Sequence, residues 1–163
     1  MSARTRKQTA AAAPAELGPR GCTHFKLRQL SRSVSRRFDA TVGGSGLKTT
    51  QFSLLNHVTL LGPIQPSDLA ARMSLDASTL TRNLQPLVAQ GWLEISAGAD
   101  ARSRLIGITE AGRAKWAEAK RLWKQAQLGI NDHLGPERVA RLHALLDECM
   151  ALMAADNEGD SDE

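Results

Sequence analysis

The sequence predicts a mainly α-helical fold that carries one small β-hairpin. Apolar residues recur at steps of three and four over most of the chain, which is the period of amphipathic helices. One stretch, 92–108, instead contains two short strand-like runs around a polar turn. Glycine or proline separates several of the periodic segments, and the total of 163 residues corresponds to about one domain.

The two ends of the chain differ from its body. Residues 1–21 are rich in alanine, proline and arginine and have no apolar period, which predicts a disordered basic tail. Residues 156–163 contain five acids and no base, which predicts a disordered acidic tail. The net charge of +4 therefore conceals a more basic body, because 21–155 holds 17 bases and 11 acids. This excess suits either a polyanionic partner such as nucleic acid or a solvated surface.

Composition excludes several classes of protein. No apolar run approaches the roughly 18 residues that a membrane span requires, and the N-terminus lacks the apolar segment of a signal peptide. The two cysteines, Cys22 and Cys149, lie at opposite ends of the chain and indicate neither a disulfide framework nor a metal site. The four histidines show no metal or catalytic spacing. We therefore expect a cytoplasmic protein that is not an enzyme and that needs no metal or other cofactor.

Two amphipathic helices are predicted in the first third of the chain. The first covers 23–42 and is followed by a glycine-rich break. Its apolar stripe consists of Leu27, Leu30, Val34, Phe38 and Val42. The second covers 49–61, where apolar side chains again recur at helical spacing.

Two shorter helices follow. Proline suits the first helical position, so the third helix is predicted to start near Pro66, while Ile64 just before it is a candidate strand residue. Asp76 is a favourable N-cap for a fourth helix that runs to about residue 90, and Gly91 is placed as its C-cap. The inner face of the fourth helix is apolar and comprises Leu80, Leu84, Leu87 and Val88.

A β-hairpin and two long helices are predicted in the second half. Strand-like runs at 92–95 and 105–108 flank the polar turn. Thr109 is placed to cap a helix over 110–134, and a last helix begins with Pro136 and runs to about residue 155. An apolar seam on this last helix requires a partner helix, and its cysteine is expected in the core. The seam consists of Val139, Leu142, Leu146, Cys149 and Met153.

The third and fourth helices, followed by the hairpin, have the order of a winged helix-turn-helix. A helix fits the major groove of DNA, where its exposed side chains meet base edges. The outward face of the fourth helix carries side chains that hydrogen-bond bases and phosphates, namely Ser78, Thr79, Arg82, Asn83 and Gln85. Arg82 suits a bidentate contact with guanine, and Asn83 or Gln85 suits adenine. The alternative is that this face is only solvated.

The tip of the hairpin carries a second candidate DNA contact. Asp100 and Arg102 lie in the turn, and Arg104 follows them. An arginine on a β-ribbon suits insertion into a narrow, electronegative minor groove, and Asp100 is placed to orient Arg102. The alternative is an exposed salt bridge in a solvated turn, which contributes little to stability.

Six short motifs occur in a specific order and spacing: TQFSLL at 50–55, LA at 69–70, STLTRNL at 78–84, GWL at 91–93, DARSR at 100–104 and ITEAG at 108–112. In this order they resemble the MarR family of transcriptional regulators, over residues 22–155. The resemblance implies that a winged helix-turn-helix DNA-binding domain at 48–109 lies between dimerisation helices at 22–47 and 110–155. It also implies a homodimer that binds a palindromic DNA operator. Family members are usually repressors that are released by a small phenolic or aromatic acid or by cysteine oxidation.

Two switches are therefore candidates. For ligand sensing, the resemblance implies a pocket between the dimerisation helices and the DNA-binding lobe, and the candidate side chains are His24, Arg28, Ser31, His57 and Trp116. Each of them is also explained by packing or by a solvated helix face.

For redox sensing, Cys22 precedes the first helix, whose dipole favours a thiolate. The hydroperoxide sensors of the family hold their cysteine with tyrosines, and this chain has no tyrosine.

Other classes of protein make different predictions. The chain holds no segment that matches a catalytic domain, and its glycine-rich run follows a helix instead of a strand, which argues against a nucleotide-binding loop. An architectural protein would bind DNA with little regard to sequence. A protein-interaction module would bind through the long helices, and changing Arg82 or Arg102 to alanine would leave its DNA binding unaffected.

Overall fold

A computed structural model describes residues 21–98 and 103–159, with side chains as far as Ala154. The predicted class, mainly helical with one hairpin, is confirmed. In chain order the elements are α1 (Thr23–Val42), α2 (Thr49–Leu61), α3 (Pro66–Arg72), α4 (Ala77–Ala89), β1 (Leu93–Ala97), β2 (Arg104–Ile108), α5 (Glu110–Leu134) and α6 (Pro136–Gly159).

Local capping explains where several helices begin and end. The Asp76 carboxylate accepts the Thr79 amide at 2.7 Å, as predicted for the N-cap of α4. The Thr109 hydroxyl oxygen accepts the Gly112 amide at 3.0 Å at the start of α5. The predicted C-cap of α4 is wrong by one residue: Gln90 is the C-cap, and Gly91 follows it with φ +68°. A left-handed residue directly after a helix is most easily supplied by glycine.

The hairpin pairs β1 and β2 in antiparallel register, with Leu93 opposite Ile108 and Ala97 opposite Arg104. Ile64 adds an isolated bridge to Ile106, with amide-to-carbonyl distances of 3.1 and 2.9 Å in the two directions. The prediction that Ile64 has strand character is therefore confirmed. Because Ile64 precedes α3, this bridge attaches the helix-turn-helix to the wing.

The core lies between α2, α3, α4 and the hairpin. Its fully buried side chains are mostly leucines, among them Leu54, Leu55, Leu69, Leu80, Leu87 and Leu93. α5 continues this core by packing along α1 and α2, and it buries Ala119, Ala126 and Ile130. The result is a winged helix-turn-helix joined to a second layer of long helices.

Two expectations about the C-terminal part are corrected. α6 continues to Gly159, so residues 156–159 extend the helix instead of starting a disordered tail, since no proline or glycine interrupts it earlier. Cys149 is exposed in the single chain and does not lie in its core. In the same half of α6, Leu152 and Met153 are 63% and 70% exposed.

The remaining predictions about the tails, for residues 1–20 and 160–163, lie outside the described residues. Among the helices that are described, none is long and apolar enough to cross a membrane.

Candidate nucleic-acid interface and ligand cleft

α4 separates an apolar inner face from a polar outer face. Leu80, Leu84 and Leu87 are buried in the core. The opposite face carries all five residues predicted to face DNA: Ser78, Arg82 and Gln85 are exposed, and Thr79 and Asn83 are half-buried. The helix is therefore oriented so that its hydrogen-bonding side chains reach solvent on one side of the molecule.

A hydrogen-bond network surrounds the first turn of α4. The Ser78 hydroxyl donates to Asp76 Oδ1 at 2.6 Å, and the Thr79 hydroxyl donates to Asp76 Oδ2 at 2.7 Å. These bonds, together with the one from the Thr79 amide, hold the pKa of Asp76 far below its usual range, with the Ser78 hydroxyl as the largest cause. Asp76 is therefore ionised at neutral pH.

The Arg82 side chain lies along the same turn. Its Nη2 atom is 3.4 Å from Ser78 Oγ and 3.5 Å from Thr79 Oγ1, and its Nε atom is 3.3 Å from the Ser78 carbonyl oxygen. The guanidinium is thus held against the helix surface although the residue is exposed. The sequence predicted Asp76 only as an N-cap, and its contact with both hydroxyls becomes visible only in three dimensions.

The wing contributes one described candidate. Arg104 is exposed and is the first residue of β2. Asp100 and Arg102 lie outside the described residues, so their predicted contact with the minor groove stays a prediction. At the base of the turn, the Gly98 amide donates to the Ser103 carbonyl at 2.8 Å, and a side chain at position 98 would collide with Ser103.

A cleft of about 390 Å³ lies between α1, α2 and α5. Trp123 forms one wall, with its ring centroid 6.2 Å from Phe52 and 6.4 Å from Phe38. Lys120 is the charged residue of the lining, and its Nζ atom is 4.4 Å from the centroid of the Trp116 ring. An apolar cleft of this size with one cation suits a small aromatic anion.

The five side chains predicted to bind a ligand are not brought together in this cleft. His24 and Arg28 are exposed on α1, and Ser31 lines another groove, which lies between α1, α5 and α6. His57 and Trp116 do not line the cleft, but each contacts a residue that does. His57 Nδ1 is 2.8 Å from the carbonyl oxygen of Ser53, and Trp116 Nε1 donates to Asn56 Oδ1 at 2.9 Å. Both Ser53 and Asn56 line the cleft, so these two predicted residues support its wall.

Lys120 and Trp123 line the cleft but were not among the predicted ligand residues. Lys120 follows Trp116 by four residues, which places both on one face of α5, and this spacing was the available signal for Lys120.

The candidate for redox sensing, Cys22, is exposed at the N-cap position of α1. No acidic residue lies in the first turn of that helix.

The fold defines a winged helix-turn-helix protein, and the exposed polar face of α4 is its candidate DNA-binding surface. The MarR family model matches residues 45–103, which span α2 to the wing. The multiple antibiotic resistance protein MarR of Salmonella typhimurium is 30% identical over 102 residues, covering 61% of this chain and 71% of that protein. An uncharacterised HTH-type regulator of Bacillus subtilis, YwoH, is 25% identical over 93 residues, or 57% of this chain and 68% of its own length. The chain belongs to the MarR family of transcriptional regulators.

Solved structures agree with this assignment. The Mycobacterium tuberculosis regulator MosR, in complex with DNA, is 35% identical with a TM-score of 0.69 and covers 82% of this chain and 98% of its own. A MarR mutant of E. coli in complex with operator DNA is 24% identical with a TM-score of 0.72, covering 77% and 91%, and this similarity concerns the fold. The protein is therefore a transcriptional regulator that binds DNA, and members of this family are regulators, not enzymes.

Proposed function

We propose that this regulator is a homodimer that represses transcription by binding a palindromic operator, and that a small aromatic or phenolic acid releases it. The observation that carries the proposal is the position of α2 between the two candidate sites. Phe52, Ser53 and Asn56 of α2 line the cleft, and the same helix packs against α4, which carries the polar outer face. We propose that a ligand in the cleft shifts α2 and that α4, which packs against it, moves with it.

Exposed apolar surface supports the dimer. Leu27 and Leu30, in the first half of the α1 stripe, are 48% and 38% exposed, and the second half of α6 exposes Leu152 and Met153. Between α1, α5 and α6 lies a groove of about 330 Å³ whose lining is almost entirely hydrocarbon. Surfaces of this kind are typical of protein–protein interfaces, and a second copy would also present a second α4 to a two-fold operator.

The proposed reading surface comprises α4 and the wing. Arg82, Asn83 and Gln85 supply base-reading groups, and Arg102 and Arg104 supply wing contacts. The relatives are bacterial proteins, and the bacterial chromosome lies in the cytoplasm, which supports a cytoplasmic location for this regulator.

The experiment uses the duplex that the protein itself selects from a randomised library. We expect two chains to bind each selected duplex. Its affinity should exceed that of random duplex at least a thousandfold, since the usual ratio of specific to non-specific affinity is about 10³–10⁷. Benzoate or a hydroxylated benzoate should release the selected duplex. Met153→Glu, at an exposed position of the predicted seam, should shift the sedimenting species from dimer to monomer. Equal binding of selected and random duplex would instead indicate an architectural DNA-binding protein, and failure of every aromatic acid to bind would exclude the ligand switch.

One observation favours a second switch. Cys22 is exposed at the N-cap position of a 20-residue helix, where an oxidant can reach its thiol. If oxidation is the signal, then peroxide will release DNA from the wild type and not from Cys22→Ser, while aromatic acids will have no effect on either protein.

A further inference from the structure

The hydroxyls of Ser78 and Thr79 both donate to one carboxylate. Their oxygens lie 2.6 and 2.7 Å from the two carboxylate oxygens of Asp76. An ionised carboxylate only accepts hydrogen bonds, so each hydroxyl must give its single proton to Asp76. The lowered pKa of Asp76 agrees with this assignment, because the carboxylate stays ionised at neutral pH.

This arrangement limits what the two hydroxyls can bind. With its proton directed at Asp76, each oxygen presents only lone pairs to its other neighbours. Phosphate oxygens are themselves acceptors, so Ser78 and Thr79 cannot bind the DNA backbone through these hydroxyls while the network is intact. Each can accept from a cation, and Arg82 Nη2 lies within 3.5 Å of both oxygens.

We infer that Asp76 is a positioning residue for DNA recognition and that it acts through Arg82. The inference rests on the proposed role of α4 as the recognition helix. Asp76 orients the two hydroxyls as acceptors, and these hold one side of the guanidinium. The other terminal nitrogen, Nη1, makes no hydrogen bond within the described part of the chain and stays available to donate to an acceptor on the guanine edge, O6 or N7. Ser78 and Thr79 thus support the base contact instead of making it.

The decisive variant is Asp76→Asn. Asparagine caps helices about as well as aspartate, so α4 should persist. Its one amide oxygen can accept two hydrogen bonds, so once it caps the Thr79 amide it can accept from only one of the two hydroxyls, and the NH2 group that replaces the second oxygen is a donor. We expect the ratio of the affinity for selected duplex to the affinity for random duplex to decrease by about 5- to 150-fold relative to the wild type. This is the discrimination that one good base contact provides. Thermal unfolding should show a folded protein, and an unchanged ratio would overturn the inference.

A matched control separates positioning from charge. Asp68→Asn removes the same charge from an exposed aspartate of α3 in the same lobe. It should strengthen binding to both duplexes alike and leave their ratio unchanged, because phosphate attraction carries no sequence information. If Asp76→Asn does not fold, the double variant Ser78→Ala/Thr79→Val replaces it. This variant keeps Asp76 and the cap to the Thr79 amide, and it should lower the ratio equally.

A double-mutant comparison identifies the route. Arg82→Ala should lower the ratio of affinities for selected and random duplex, because it removes discrimination at one base pair. Adding Asp76→Asn to Arg82→Ala should lower this ratio no further, because Asp76 acts through Arg82. A lowered ratio for Arg82→Ala with an unchanged ratio for Asp76→Asn overturns only the role of Asp76. An unchanged ratio for Arg82→Ala overturns both that role and the proposed use of α4 as the recognition helix.

Discussion

The Nζ atom of Lys115 lies 2.6 Å from the backbone carbonyl oxygen of Ser45, which joins α5 to the turn between α1 and α2. The same atom is 3.0 Å from Glu118 Oε2 and 5.4 Å from the centroid of the Trp92 ring. Because Trp92 follows α4 and precedes the wing, Lys115 contacts both the DNA-binding lobe and the layer of long helices.

Replacing this lysine should destabilise the chain. Lys115→Met keeps the aliphatic stem and removes the ammonium, which leaves the carbonyl of the buried Ser45 without this donor. We expect the free energy of unfolding to fall by about 1–2 kcal/mol. Urea unfolding measures this change, with Lys124→Met at an exposed position of α5 as the control, which should stay within about 0.5 kcal/mol of the wild type. Equal effects of the two variants would argue against a specific contact.

The approach of α5 to the wing should be sensitive to one methyl group. A Cβ atom at Gly112 would collide with the backbone carbonyl of Trp92 and crowd Ile108. Gly112→Ala should therefore destabilise the fold by about 1–3 kcal/mol, although alanine favours helices. Gly129→Ala is the matched control, because nothing lies within 4 Å of the added methyl group, and it should stabilise the same helix by about 0.5–1 kcal/mol. Thermal unfolding should give opposite signs, and two stabilising substitutions would show that the close approach does not exist.

The contact between α1 and α2 should depend on pH. Asp39 Oδ1 accepts the Thr49 hydroxyl at 2.6 Å and the Thr49 amide at 3.0 Å, and the hydroxyl is the main reason that the pKa of Asp39 is lowered. A carboxylate with a lowered pKa contributes its full stability above its unfolded pKa of about 3.9 and loses it as the pH falls through the lower, folded value.

Asp39→Asn should therefore be less stable than the wild type at pH 7, by about 0.5–1 kcal/mol after allowance for exposure. This difference should stay constant down to about pH 5 and shrink below about pH 4. Urea unfolding at several pH values measures it. In the Thr49→Val background, the effect of Asp39→Asn should be smaller, and an equal effect in both backgrounds would place the origin elsewhere.

The ligand cleft makes a prediction for Lys120. If an aromatic acid binds there, its carboxylate should pair with the Lys120 ammonium while the ring contacts Phe52 and Trp123. Lys120→Met should weaken binding about tenfold, which corresponds to about 1.4 kcal/mol for one charge-assisted contact. Quenching of tryptophan fluorescence by hydroxylated benzoates measures the affinity. Lys124→Met, which lies outside the cleft lining, should leave it unchanged, and equal weakening by both substitutions would indicate a general charge effect.

Much of the fold was predictable because its signals are local. The ends of α1, α2 and α5 agree with the periodic segments and their breaks, since caps, glycines and prolines act on the nearest turn. The end of α6 was predicted too early, because no strong stop signal occurs before Gly159. The five outward residues of α4 were predicted from helical period alone, and their exposure or partial exposure agrees with it.

The ligand site was less predictable for a physical reason. Its lining comes from α1, α2 and α5, so it depends on how three distant segments pack, and single-helix spacing carries little information about that. His57 and Trp116, which were predicted to contact a ligand, are not part of the cleft lining, and their ring nitrogens contact Ser53 and Asn56 beside it. His24 and Arg28 lie on the exposed surface of α1.

Residue spacing and local capping account for the class of fold, the order of its elements and the polar face of α4. The contacts that join Asp76, Ser78, Thr79 and Arg82 are also local, since they link residues two to four positions apart, but residue types alone do not give their hydrogen-bond directions. Packing between distant segments, in contrast, placed Lys120 at the cleft and joined Lys115 to Ser45 across 70 residues. Such contacts depend on how the helices pack against one another, and spacing along the chain does not encode that packing.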